Sequence, residues 1–219
     1  MEFEQLIGNA SWTILETLAD GEKSPAEIAK ATGISLASIS QQTRLLNAYS
    51  LISLQKRPRA GPGKPKQSYN LTKELAYLVV LRKGFAGKKT LKLDDHHKAH
   101  LNLCFLDKVE DHYYLEKFLW EREELLQHCD TLAVSDSDGR EIHLLIITDE
   151  QHLEKLRKEM STTVIRHVPD KKEERKVICW THTLQEVRDG LARDDDYFKK
   201  LLNHPHAIID RKNVLSEFI

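Results

Sequence analysis

Apolar and polar positions along the chain first set out a series of short helical stripes. Trp12, Ile14, Leu15 and Leu18 recur at helical spacing, and Asp20-Gly21 ends the run. Ser24-Pro25-Ala26-Glu27 reads as a capping box with Pro at the first helical position. The helix it opens turns Ile28, Ala29 and Ala31 inward before Gly33 stops it. Ser35 opens a third helix, with Ile39, Thr43 and Leu46 on its inner face and Leu45 and Tyr49 beside it. An alternating stretch over 52–56 then predicts a strand, followed by a Pro/Gly/basic loop over 57–66 and a second strand over 67–71. Thr72 stands where it can cap a helix running to about Lys83.

A basic connector over 84–92 leads to a region, 94–128, read mostly as helix, with Leu115, Phe118, Leu119, Leu125 and Leu126 as core. Leu101, Leu103 and Phe105 alternate as in a strand, so 101–106 fits either pattern. The last third changes character. Strands are expected over 131–135 and 141–148, joined across Asp138-Gly139, a strong hairpin signal. A helix over 150–160, strands at 163–167 and 176–181, helices at 184–193 and 196–203, and a strand at 207–210 complete the pattern. The fold class is α+β: an N-terminal helix-and-hairpin domain (1–90), a helical connector (91–130) and a mixed α/β domain (131–219).

Charge sharpens this division. The 219 residues carry 33 Lys+Arg against 34 Asp+Glu, a net charge of −1. Residues 1–92 hold 14 basic and 7 acidic side chains, and residues 93–219 hold 19 and 27. Near-neutrality is therefore a sum of +7 and −8, and residues 44–92 contribute 12 bases and one acid, Glu74. No apolar run approaches the roughly 20 residues that span a bilayer. Glu2 and Glu4, with no apolar stretch after them, read against a secretory signal. Cys104, Cys129 and Cys179 are odd in number and widely spaced, which points away from a disulfide framework and toward a reducing, cytoplasmic setting.

Two capped helices across a tight Gly-containing turn, followed by a basic hairpin, make a pattern with a familiar order. Ile28-Ala29, Gly33, Ser35, Ile39-Ser40, Leu46, Leu51-Ile52 and Tyr69-Asn70-Leu71-Thr72 fall in the register of ArsR/MarR-type regulators, and residues 8–82 resemble that winged helix-turn-helix family. Ser50 stands where the family has Gly, and Thr43 where it has an apolar residue. The resemblance implies double-stranded DNA as partner and a homodimer, with 1–10 and the 75–81 helix as candidate interface elements. The residues carry a DNA-binding reading of their own. Ser35, Ala37, Ser38, Gln41, Gln42 and Arg44 lie mostly off the Ile39/Thr43/Leu46 face, near the start of the third helix. Gln can bridge adenine N6 and N7, and Ala can pack on a thymine methyl. Arg57, Arg59, Lys64 and Lys66 sit on a loop stiffened by Pro58, Pro62 and Pro65, suited to phosphates or the minor groove.

In the C-terminal domain a helix, then a strand hairpin ending in the apolar run Leu144-Leu145-Ile146-Ile147-Thr148, resembles the minimal nucleotidyltransferase fold without its chemistry. Val134-Ser135 stands at that family's Gly-Ser pair, and Glu141-Ile142-His143 at its metal-holding Asp-x-Asp pair. A non-catalytic version of that fold is the first reading. An unrelated α/β sensing or dimerisation domain and an active transferase are the alternatives. His96, His100 and Cys104 recur at i, i+4 and i+8, ligand types that suit zinc or copper. Solvated histidines and a packing Cys explain the same spacing, and no metal or other cofactor is expected. The expected function is a sequence-specific DNA-binding transcriptional regulator, not an enzyme, with a small-molecule or protein effector at the C-terminal domain. A nucleotidyltransferase with a targeting domain and a protein-binding adaptor are the rivals.

Overall fold

In the computed structural model, residues 8–57, 66–167 and 173–218 are described, the side chains of Arg57 and Lys66 excepted. The chain divides into two compact units, Met1–Lys92 and Leu93–Ile219, and its class is α+β.

The first unit opens with α1 (Asn9–Ala19), α2 (Pro25–Thr32) and α3 (Leu36–Ala48). Ser24 caps α2 in a complete capping box: its hydroxyl accepts from the Glu27 amide at 3.3 Å, and the Glu27 carboxylate accepts from the Ser24 amide at 2.7 Å. Gly33 ends α2 at φ 71°, a left-handed turn that favours glycine. Ile14, Leu18, Ile28, Ile39, Leu46, Leu51 and Ile52 close one small core between these helices and the strand that follows. Thr43 lies in the same core, fully buried, and its hydroxyl donates to the Ile39 carbonyl at 2.8 Å. The polar atom at this apolar position is thereby satisfied within the helix.

Strands β1 (Ile52–Arg57) and β2 (Lys66–Leu71) pair antiparallel from Ile52 opposite Leu71 to Arg57 opposite Lys66. Lys23 adds a third rung, exchanging two backbone hydrogen bonds with Tyr69 at 3.0 and 2.8 Å. Between α3 and β1, Ser50 takes φ 55°, in the left-handed region that favours glycine. The Leu51 amide returns to the Leu46 carbonyl at 3.0 Å, and the Thr72 hydroxyl binds the Ser50 carbonyl at 2.7 Å, so surrounding bonds hold the turn.

The helix expected after Thr72 is a strand. β3 (Leu75–Arg82) pairs with β4 (Phe85–Lys92) across a two-residue turn at Lys83-Gly84. Leu, Val and Tyr dominate β3, types that favour a pleated strand, and Gly84 at φ 82° supplies the reversal. The basic connector is thus a strand in its own right. The dimer helix expected at 75–81 does not exist, and residues 1–7 of the other expected element lie outside the described residues.

In the second unit, α4 (Asp95–Cys104), α5 (His112–Glu121) and α6 (Glu123–Leu126) precede β5 (Cys129–Ser137) and β6 (Glu141–Thr148). Then come α7 (Glu150–Met160), β7 (Thr162–Arg166), β8 (Glu174–Thr183), α8 (Leu184–Ala192), α9 (Asp196–Leu201) and β9 (His206–Asp210). The sheet order is β7-β8-β6-β5-β9, antiparallel except for the parallel pair β6 and β8. Residues 101–104 complete α4, with Leu103 buried, so the alternation there is not a strand. Ala99, Leu103, Leu115, Phe118 and Leu126 share one core with Leu132, Ile142, Leu144 and Ile146. The expected connector therefore packs on the sheet as part of its fold. On the other face, Ala133, Leu145 and Ile147 meet Val187, Phe198, Leu201 and Val214. Burial on both faces explains the unbroken apolar run of β6.

Asp111 is 2% exposed and bound by the Arg175 guanidinium, which also lies 4.7 Å from the Tyr114 ring centre. Two stability changes follow from these contacts. Arg175→Met strands the Asp111 carboxylate and is expected to lower unfolding stability by about 3–5 kcal/mol in urea denaturation. Ser50→Gly relieves the left-handed turn and is expected to raise it by about 1 kcal/mol.

Candidate nucleic-acid interface

Helix α3 owes its orientation to Ile39, Thr43 and Leu46, all fully buried. The helical period then turns Ala37, Ser40, Gln41 and Arg44 outward as exposed side chains, with Ser38 and Gln42 half-buried at the margin. Ala37, Ser40, Gln41, Gln42 and Arg44 border one open depression along the helix. The Ser35 hydroxyl is engaged as N-cap, accepting from the Ser38 amide at 3.3 Å. It fixes the start of α3, and the positive end of the helix dipole lies beside it. The two glutamines, equivalent in sequence, are not equivalent in space. Gln41 is exposed, whereas Gln42 accepts a 2.7 Å hydrogen bond from Ser11, a 2% exposed residue of α1. That brace across the core escapes sequence reasoning; its one trace is a Ser at an inner position of the first stripe.

The β1–β2 pairing sets Arg57 directly opposite Lys66 at the far end of the hairpin. Six residues of strand carry that end about 20 Å from the α3 turn. The side chains of Arg57 and Lys66, and all of Arg59 and Lys64, lie outside the described residues. Lys56 is exposed one position earlier on β1.

Elsewhere the expected ligand sets do not converge. On α4 the His96 and His100 rings sit 4.5 Å apart, but the Cys104 thiol is exposed and donates to the His100 carbonyl at 3.6 Å. Among the described residues no three His, Cys, Asp or Glu groups could hold a metal ion. The two histidines instead border a cavity of about 200 Å³ over Ala99, Leu119 and Ile209, with Trp120 and Glu123 at its side. Burial pushes the Cys129 thiol up to about 11 and the Cys179 thiol up to about 12, so both stay protonated packing groups.

At the β5–β6 hairpin, the acids serve the turn. Asp138 accepts from the Arg140 and Glu141 amides at 2.9 and 2.8 Å, bonds that hold its carboxyl below the usual range. Glu141 pairs with Lys176 at 3.2 Å and lies 3.8 Å from His143 on the same face of β6. Ser135 donates to the His143 carbonyl at 3.0 Å, and the Trp180 indole donates to His143 Nδ1 at 3.2 Å.

A denser polar chain lies where β8 meets α8. Arg157 donates to both Glu186 carboxylate oxygens at 2.9 Å, and Glu186 completes a capping box with Thr183. His182 lies 3.4 Å from Glu186 and 2.8 Å from the Tyr197 hydroxyl. Burial lowers the His182 pKa and pushes Tyr197 up to about 12. The phenol stays protonated and the imidazole neutral, so the chain acts as a brace for α8 and α9. Only its capping box, Thr183-x-x-Glu186, was readable from the sequence.

No protein-family model matches the chain, and no curated protein matches it significantly. Among the described residues no helix is long and apolar enough to cross a membrane.

Because the His182 pKa is depressed on folding, the unfolded chain takes up the proton more readily. The stability that neutral His182 confers is complete above its ordinary 6.5 and is lost as pH falls from there toward the folded value. In denaturant titrations at pH 7.5 and at about pH 5, His182→Gln is expected to lose less stability than the parent protein; equal losses would remove His182 from this role.

Proposed function

We propose that the protein is a sequence-specific double-stranded DNA-binding transcriptional regulator of the winged helix-turn-helix kind, acting as a homodimer. The observation that carries this reading is the outward face of α3. A capped helix, seated by three buried side chains, presents Ala37, Gln41 and Arg44 to solvent immediately before a hairpin ending at Arg57 and Lys66. An α-helix of this width fits the major groove, where Gln41 can address adenine and Arg44 can address guanine or phosphate. The hairpin end supplies cations for phosphate contact.

Gln42 enters with a different role from Gln41. Its carbonyl oxygen accepts from Ser11, which orients the amide nitrogen it would offer to a base edge. The acidic second unit, at −8, keeps itself away from phosphates and limits adhesion to DNA by anything but the basic unit. The cavity beside His96 and Trp120 is the place this reading assigns to a small-molecule effector, since its volume suits a single ring. Saturable quenching of Trp120 fluorescence by a single-ring compound, abolished in Trp120→Phe, would locate it there; no saturable response across neutral, cationic and anionic rings would remove the assignment.

Fluorescence anisotropy on duplex DNA across a salt series tests the reading. Arg57→Ala with Arg59→Ala is expected to weaken binding to all sequences and to reduce the salt slope by about one for each phosphate no longer neutralised. Gln41→Ala is expected to leave the slope unchanged and to erase preference at one base position, about 1–3 kcal/mol of discrimination. Salt-insensitive or absent binding by the parent protein would refute it.

A further inference from the structure

The β3–β4 hairpin is built unlike the rest of the molecule. β3 exposes Leu78, Val79, Val80 and Leu81 in sequence, with Val79 57% and Leu81 78% exposed. Alternation along a strand puts consecutive residues on opposite faces, so this strand is apolar on both. Among the described residues the sheet has two strands, and none pairs with the outer hydrogen-bonding edge of either. An isolated two-stranded hairpin is marginal in water, and an uncovered apolar edge invites another strand.

The two edges are not equivalent. β4 carries Lys88, Lys89 and Lys92, the residue type that guards edge strands, whereas β3 between Leu75 and Leu81 carries no charge. We propose that β3 pairs antiparallel with β3 of a second copy across a twofold axis, forming a four-stranded sheet in the order β4-β3-β3-β4. This deepens the homodimer part of the functional reading and does not depend on DNA.

Charge and register favour this occupant. With Leu78 on the axis, Leu75 faces Leu81, Ala76 faces Val80 and Tyr77 faces Val79 of the other copy. Glu74, the one acid between residues 44 and 92, then faces Arg82 at both ends. Opposite charges placed directly across strands stabilise the pair, and the apolar partners between them are aromatic, β-branched or aliphatic. Pairing through β4 would instead bring the lysines of two copies within about 5 Å. Pairing through β3 keeps them about 14 Å apart, beyond the roughly 8 Å Debye length at physiological salt.

The test uses the full-length chain without DNA, so its failure is separate from a failure of DNA binding. In a Cys104→Ser background, which removes the exposed thiol, Leu78→Cys lies opposite itself at a Cα spacing compatible with a disulfide. Mild oxidation is expected to give a covalent dimer from Leu78→Cys and none from Ala86→Cys on β4. By sedimentation equilibrium the parent protein is expected to dimerise, and Val79→Lys with Leu81→Lys to raise the dissociation constant at least tenfold with unchanged circular dichroism. A monomeric parent protein, equal crosslinking at both positions, or a dimer indifferent to the lysines would each overturn the proposal. A monomer whose β3 edge is protected from hydrogen exchange would overturn it too, and would assign the cover to the same chain.

Discussion

The face of the first unit that carries Ala37, Gln41 and Arg44 depends on how α3 is seated. Ile39, Thr43 and Leu46 anchor one side of the helix without solvent contact, and the Thr43 hydroxyl satisfies itself on the Ile39 carbonyl. Rotating α3 by one residue would expose an isoleucine and bury an arginine, so the stripe fixes the rotation tightly. The Ser35 cap fixes where the helix begins, and the strained turn at Ser50 fixes where it hands the chain to β1. The outward set of Ala37, Gln41 and Arg44 is a consequence of these three constraints together.

The second unit follows a different physical plan. Its central strand β6 is buried on both faces, so helices must cover both sides of the sheet, and the chain supplies α4 to α7 on one side and α8 and α9 on the other. Polar groups within this arrangement are largely bonded to one another. Arg175 answers Asp111, and Arg157, Glu186, His182 and Tyr197 form a continuous chain at the β8–α8 junction. The same economy applies at the β5–β6 hairpin, where Asp138 caps the turn and Glu141 meets Lys176.

Much of this was legible because local chemistry and tertiary packing agree. The capping box at Ser24, the Ser35 start and the Asp138-Gly139 turn each act within a few residues, and all appear where the sequence places them. The misreading of 72–83 has the opposite cause. A run of seven apolar residues carries no period that separates strand from helix, and Thr72 imitates a helix start. The deciding information lay in the partner strand, whose lysines disguised it as a connector. The candidate site shows the same boundary: periodicity identified the outward face of α3, but the Ser11–Gln42 bond joins residues 31 apart and has no local signature. Arg157, Glu186 and Tyr197 come from three helices and His182 from β8, so their clustering is likewise a product of tertiary packing.

The central claim is that the face of α3 reads DNA and that the protein does so as a symmetric pair. The most direct measurement is selection of bound fragments from a pool of random duplexes by the full-length protein, followed by sequencing. The expected result is enrichment of an inverted repeat, with half-sites about one helical turn apart centre to centre. A pool that remains random after repeated rounds would contradict it.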